Sequence, residues 1–413
     1  MPAPIPTRLS DTSTLYVDAN PREREWRRET RQVRGGTLRT EFGETSEALF
    51  LNSGFCYDRA ETAEARFAGE DQGYVYSRYN NPTLSMFERR MTLLEGAEAC
   101  RGTSSGMAAV FAAMMCQLHA GDRVVAARAM FGSCHYILAE LLPRYGIETI
   151  LVDGADLDQW RDALAAPTRC VFFETPANPT LELVDIAAVS ELAHAAGASV
   201  IVDNVFSTPL LQKPLPLGAD VVVYSGTKHI DGQGRCLGGA VLGSEAFCTD
   251  SLQPFLRHTG PALSPFNAWV LLKGLETLEL RVEKQCRNAA ILADRLADHP
   301  AVSRVLFPGR ADHPQADLVA AQMSGPGTVV AFHIAAGKPA AFRFLNALHL
   351  IDISNNLGDA KSLITHPASS THRAMGAQER ARIGVTDGLV RLSTGLENVA
   401  DLADDLDQAL AAV

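Results

Sequence analysis

The sequence predicts an α/β protein: a large domain on a mostly parallel sheet, followed by a smaller α+β domain. Three observations carry that reading. Between about residues 76 and 243, short apolar runs alternate with helical-period stretches, as strand–helix–strand units do. The runs are almost continuously apolar (VIVD, VVVYS), the pattern of strands buried on both faces. After Pro265 the pattern shifts to one long helical stretch followed by strands and helices of different spacing.

Taken in order, residues 1–75 show little periodicity and contain an arginine-rich stretch from Pro21 to Thr40. Glu23, Glu25 and Glu29 interrupt its charge, so it reads as a solvated or subunit-contacting segment rather than a basic arm for an anionic partner. Residues 76–265 form the predicted large domain. Strands are expected at Arg123–Ala127, Thr168–Glu174, Ala198–Asp203, Ala219–Tyr224 and Gly239–Leu242, and helices at Gly106–Leu118, Cys134–Tyr145 and Ile186–Ala196. Residues 266–413 form the second domain. It opens with a helix from about Asn267 to His299, which Pro300 ends because proline cannot continue the ladder. Strands at Val302–Leu306 and Thr328–Ile334 and helices at Pro339–Leu348 and Val399–Val413 complete it.

Composition narrows the class. At 413 residues, 46% hydrophobic and 21% charged, the chain is neither disordered nor fibrous. A net charge of −11 argues against nucleic acid or an anionic membrane surface as partner. No apolar run reaches the roughly 18 residues of a membrane span, and the start MPAPIPTRLSDTST lacks a secretory apolar core. Eight cysteines without a CxxC pair suit reduced thiols better than disulfides or zinc, and no metal site is expected. A cytoplasmic enzyme is the expectation.

Three features carry chemistry. In YSGTKHIDGQG, an apolar strand ends and Lys228 follows directly, at the strand edge where open α/β sheets bind ligands. In ASVIVDN, a second buried strand ends in Asp203. Alone, Lys228 reads as a loop lysine and Asp203 as a turn cap. Together they match pyridoxal 5'-phosphate: a Schiff-base lysine, and a carboxylate that keeps the pyridine nitrogen protonated so the ring can take up electrons. In RGTSSGMAAVFAAM, small and hydroxyl residues lead into a helix starting at Gly106 and Met107. That is an ordinary N-cap or, with Ser225 and Thr227 nearby, a site for a phosphate monoester.

With these motifs in view, the sequence resembles the Cys/Met-metabolism (trans-sulfuration) family of pyridoxal-phosphate enzymes. YSRYNNPT (from Tyr76), ETPANPT (from Glu174), VDNVFSTP, SGTKH, LGDAKSLITHPASSTH and VRLSTGLE carry the resemblance from about residue 50 onward. It implies the aspartate-aminotransferase-like fold (fold type I), with seven strands in the large sheet. It implies Lys228 and Asp203 as catalytic residues, with Gly106, Met107, Ser225 and Thr227 at the phosphate and Asn178 beside the ring oxygen. Tyr76 and Arg78 would reach that phosphate from the neighbouring subunit, within a dimer inside a homotetramer, and residues 1–75 would be an arm on that neighbour. Arg391 would clamp the substrate carboxylate.

Two departures from the common family pattern bear on the reaction. Phe131 stands where most relatives stack a tyrosine on the ring, and Asn356 stands where many have a serine. Both, with Asn355, resemble the sulfhydrylase branch that acts on O-succinyl-L-homoserine with sulfide to give L-homocysteine. Ser133, where methionine-degrading lyases tend to carry cysteine, argues against that lyase activity. Cystathionine γ-synthase and O-acetylhomoserine sulfhydrylase activities stay open. Two weaker signals are set aside: GQGRCLGG has misplaced glycines for a dinucleotide loop, and His366 and His372 read as structural rather than metal ligands.

Overall fold

The computed structural model describes residues 20, 22–71 and 73–413. The reading of the first residues as lacking a secretory core, and Pro21 of the arginine-rich stretch, lie outside them. That stretch spends much of its charge within the chain. Arg28 pairs with Glu279, Glu23 pairs with Arg89 at 2.5 Å and accepts the Gly36 N–H at 3.0 Å, and Arg31 donates to the Leu93 carbonyl at 3.3 Å.

Helix α1 (Pro82–Glu95) opens the large domain, with Asn81 capping it by accepting the Thr83 N–H at 2.9 Å and proline in the first turn. Seven strands follow: β1 (Ala99–Thr103), β2 (Arg123–Ala127), β3 (Glu148–Val152), β4 (Cys170–Glu174), β5 (Ser199–Asp203), β6 (Val221–Ser225) and β7 (Gly239–Gly243). Their order is β1-β7-β6-β5-β4-β2-β3, parallel from β6 to β3, with β7 antiparallel to both β6 and β1. The predicted mostly parallel sheet is therefore present.

Successive residues of the central strands feed opposite cores. Phe172, Ile201 and Val223 pack with Ala109, Val110 and Met114 of α2 (Gly106–Met115) on one face. Val171, Phe173, Val200 and Val202 pack with Trp160, Val189 and Ala193 on the other. Burying each such side chain is worth about 1.5–3 kcal/mol, which is why neither face of these strands tolerates polar residues.

In the large sheet, the two strands not predicted from the sequence are the edges. Val152 is the one buried residue of β3 (ETILV), and β1 carries Arg101 and Gly102. An edge strand need not be continuously apolar, so it escapes that pattern.

The single helix predicted to open the second domain is two, α3 (Pro265–Leu275), which packs on α1 in the core of the large domain, and α4 (Leu278–Ala297). The break turns the Gly274 carbonyl onto the Arg281 guanidinium at 2.7 Å, and the Gly274 Cα lies so close to the Ile230 carbonyl that a Cβ there would sit 2.2 Å from it. Helix packing against the loop beyond Lys228, rather than periodicity, fixes the bend. Then come β8 (Val302–Leu306), β9 (Val329–Ile334), β10 (Asp352–Ile353), β11 (Leu363–Thr365), β12 (Leu389–Ser393) and helix α5 (Val399–Leu410). They form a five-stranded sheet, β10-β11-β12-β9-β8, antiparallel except for β10–β11. Helices α4 and α5 cover it through Leu292, Leu296, Leu402 and Leu406. Among the described residues no helix is long and apolar enough to cross a membrane.

Candidate active site

The carboxyl ends of β4, β5 and β6 end side by side, with Glu174 paired to Asp203 and Asp203 to Val223 in register. A cavity opens above them. It is lined by Gly106, Met107, Phe131, Asn178, Asp203, Ser225, Thr227, Lys228 and Arg391, all singled out from the sequence.

Helix α2 points its start into this cavity. Ser105 accepts the Ala108 N–H on its side chain at 3.1 Å and the Ala109 N–H on its carbonyl at 3.1 Å. That leaves the Gly106 and Met107 amides at the positive end of the helix, next to the Ser225 and Thr227 residues that line the same space. A Cβ on Gly106 would lie 2.5 Å from the Ser225 Cβ, so only glycine lets helix and strand end approach this closely.

Lys228 sits one turn beyond β6, its N–H donating to the Ser225 carbonyl at 3.3 Å. Its amine donates to the Asn356 side-chain oxygen at 2.5 Å. Burial, and then the positive charge of Arg391, pull that amine down to about 8. Arg391 in β12 is 1% exposed. It donates to the Asn178 side-chain oxygen at 2.9 Å and to the carbonyls of Asn355 and Asn356 at 2.9 and 3.2 Å, and its Nε has no hydrogen-bond partner among the described residues. Burial lowers this guanidinium to about 10, still charged at neutral pH.

Asp203 accepts the Val205 N–H at 3.0 Å. Burial pushes its carboxyl well above the usual carboxylate range. Glu174 is pushed up as well, by burial and then by Asp203 beside it. The Cys134 sulfur and the two carboxylates lie within 4.8 Å of one another, and burial raises the thiol so that it stays protonated.

These residues fit pyridoxal 5'-phosphate on their own chemistry. The buried Asp203 carboxyl suits a cationic ring nitrogen, a helix start without a side chain suits a phosphate, and a lysine partly neutral near neutral pH suits an aldehyde. Tyr76 and Arg78 are not brought to the cavity within one chain. Arg78 donates to the Arg257 carbonyl and lies 5.4 Å over the Tyr76 ring and 4.9 Å over Tyr79, on the surface.

Glu174 is the site residue that sequence reasoning missed, though it opens ETPANPT and ends a buried strand as Asp203 does. It accepts the Phe131 N–H at 2.8 Å and the Asn178 N–H at 3.3 Å. The histidines are engaged as structural groups: His366 with Ser369 and the Asp387 carbonyl, both at 2.8 Å, and His372 with the Met130 and Asn178 carbonyls, both at 3.2 Å.

Comparison with known proteins points to the same cofactor. The chain is 59% identical over 383 residues to an O-succinylhomoserine sulfhydrylase of Mycobacterium tuberculosis, covering 92% of this chain and 94% of that one. It is 46% identical to the Pseudomonas aeruginosa protein of the same name (93% and 95% covered) and 41% identical to an L-methionine gamma-lyase of Porphyromonas gingivalis (92% and 96%). Among solved structures, a Campylobacter jejuni chain assigned to O-acetylhomoserine (thiol)-lyase, holding N'-pyridoxyl-lysine-5'-monophosphate, superposes with a TM-score of 0.91 at 31% identity, covering 94% of this chain and 100% of that one. The profile of the Cys/Met metabolism PLP-dependent enzymes matches residues 29–411, and with the geometry above it follows that the chain belongs to that family and works with pyridoxal 5'-phosphate.

Proposed function

We propose that this enzyme replaces the γ-substituent of O-succinyl-L-homoserine with sulfide, releasing L-homocysteine and succinate. The observation that carries the reading is Phe131 at the cavity wall, where its ring can stack but offers no acidic hydroxyl. A carboxylate leaving group needs little proton assistance, whereas a thiolate leaving from methionine or cystathionine gains from a nearby acid. The sulfhydrylase names of the relatives at 59% and 46% identity support the same choice.

Pyridoxal 5'-phosphate, when bound, supplies an electron sink for a carbanion beside the substrate carboxylate. The chain's residues do the rest. Arg391 binds the α-carboxylate, its unpartnered Nε available as a donor and its plane set by Asn178 and the two carbonyls of Asn355 and Asn356. Lys228, unprotonated in part near neutral pH, takes the Cα proton and later returns it, with Asn356 holding its amine in place. Asp203 keeps a positive charge at the ring nitrogen. Gly106, Met107, Ser225 and Thr227 hold the phosphate, joined by Tyr76 and Arg78 of a neighbouring subunit in a homotetramer. Residues 1–75 serve as the arm between subunits, 76–265 as the cofactor domain and 266–413 as the domain supplying Asn356 and Arg391. The enzyme works in the cytoplasm on a small amino-acid substrate.

The test is purified enzyme with O-succinyl- or O-acetylhomoserine, each against sulfide and cysteine, and with methionine alone. Homocysteine from the succinyl ester and sulfide is the expected main product. Dominant cystathionine would make the enzyme a synthase, and breakdown of methionine at a comparable rate would make it a lyase.

A further inference from the structure

Two side chains outside the assigned chemistry grip the same pair of loops from opposite sides. Glu174, at the end of β4, accepts the N–H groups of Phe131 and Asn178. His372, from the loop between β11 and β12, faces the carbonyls of Met130 and Asn178 with its Nε2, both at 3.2 Å. The Met130 carbonyl and the Phe131 N–H belong to one peptide group, so that peptide is held at both ends, and Asn178 is held at both its N–H and its carbonyl.

Both gripping side chains are buried, Glu174 at 5% exposure and His372 at 0%. Two carbonyls can only accept, so His372 must carry its hydrogen on Nε2. Its Nδ1 then accepts from the Thr371 hydroxyl at 2.8 Å. Burial lowers His372 to about 4, which keeps that neutral tautomer. Close approach completes the grip: a Cβ on Gly132 would lie 2.4 Å from the Thr371 carbonyl.

We propose that Glu174 and His372 form a two-sided clamp that positions the Phe131 ring against the cofactor and, through Asn178, aims Arg391 at the substrate carboxylate. The clamp joins the two domains, so packing of the second domain is transmitted to both walls of the cavity. The substrate half of this inference rests on the γ-replacement reading; the cofactor half does not. Glu174 lines the cavity beside Asp203 and His372 stands behind the Met130 and Asn178 carbonyls, and both act here as positioning residues through the backbone groups they hold.

Glu174→Gln is the primary variant. Its side chain has one accepting oxygen, so it can serve only one of the two N–H groups and turns a donor toward the other. His372→Gln keeps a donor that can reach the carbonyls, whereas His372→Ala removes it. Each variant is loaded with cofactor, and three quantities are read: melting temperature, visible circular dichroism of the bound cofactor, and KM against kcat for the acylhomoserine. Glu174→Gln and His372→Ala are expected to lose at least half of the cofactor dichroism and to raise KM tenfold or more with a smaller change in kcat. His372→Gln should recover most of both. In the double variant Glu174→Gln/His372→Ala, the KM increase should fall well short of the product of the two single increases, since one device is being broken twice.

Wild-type dichroism and KM in Glu174→Gln overturn the clamp, as do fully multiplicative effects in the double variant. Should Glu174→Gln fail to fold, the His372 pair decides: rescue by glutamine upholds the clamp, and equal damage in both overturns it. Failure of wild type to process any acylhomoserine would sink the functional reading alone, because the dichroism needs no substrate.

Discussion

In the cofactor-free protein, Lys228 is a liability to the fold that chemistry requires. Burial and Arg391 hold its amine at about 8, against 10.5 for an ordinary lysine. At about 1.4 kcal/mol for each tenfold change in proton affinity, keeping the amine charged inside the fold costs roughly 3 kcal/mol. The unfolded chain keeps the ordinary value, so between those two pH values unfolding takes up a proton. Stability therefore rises with pH through that window, and below it the penalty is fully present. Lys228→Met keeps most of the stem and removes the charge. It also leaves the Asn356 side-chain oxygen without its 2.5 Å donor, a loss of about 1 kcal/mol. The net expectation is a cofactor-free variant more stable than wild type by about 2 kcal/mol near pH 7, and less stable by about 1 kcal/mol above about pH 10.5. Denaturant unfolding of both cofactor-stripped proteins across that range measures the difference. If Lys228→Met is destabilising near neutral pH, or the difference does not move with pH, the desolvation argument for an activated lysine is wrong.

Gly106→Ala forces a Cβ into Ser225 at 2.5 Å and should weaken cofactor binding at least tenfold, read by titrating stripped enzyme with pyridoxal 5'-phosphate; unchanged affinity would remove this helix start from the phosphate site. Phe131→Tyr should leave acylhomoserine turnover within about tenfold, roughly 1.4 kcal/mol of barrier, while Phe131→Ala weakens cofactor binding by about 0.5–1.5 kcal/mol of lost stacking. The reverse pattern would mean the ring packs away from the cofactor. Arg78→Ala should weaken cofactor retention, and mixing it with Lys228→Ala protein under subunit exchange should recover activity, because a mixed dimer has one site carrying neither lesion; no recovery despite exchange would place the whole site in one chain.

What the sequence determined by itself is whatever local chemistry and period encode. VIVD and VVVYS must be buried parallel strands because nothing polar interrupts them, and their ends place Asp203 and Lys228 at the binding edge of the sheet. The glycine and serines before α2 mark a helix start whether or not an anion binds there. Period could not find the edge strands β1 and β3, or the break between α3 and α4, since Arg101 and Gly102 interrupt β1, β3 is mostly half-exposed, and the break is set by packing against the Ile230 carbonyl. The deeper omissions share one cause. Glu174 looked like the end of a strand, and His372 one of two loop histidines, because Phe131 lies 43 residues from Glu174 and the partners of His372 lie 194 and 242 residues away. Arg391 was legible only through the family resemblance; that it is buried in β12 and met by Asn178 of the other domain at 2.9 Å came from the tertiary structure. A hydrogen bond between loops of separate domains leaves no periodic trace, and the depressed lysine and raised carboxyls exist only because the folded chain takes them out of water.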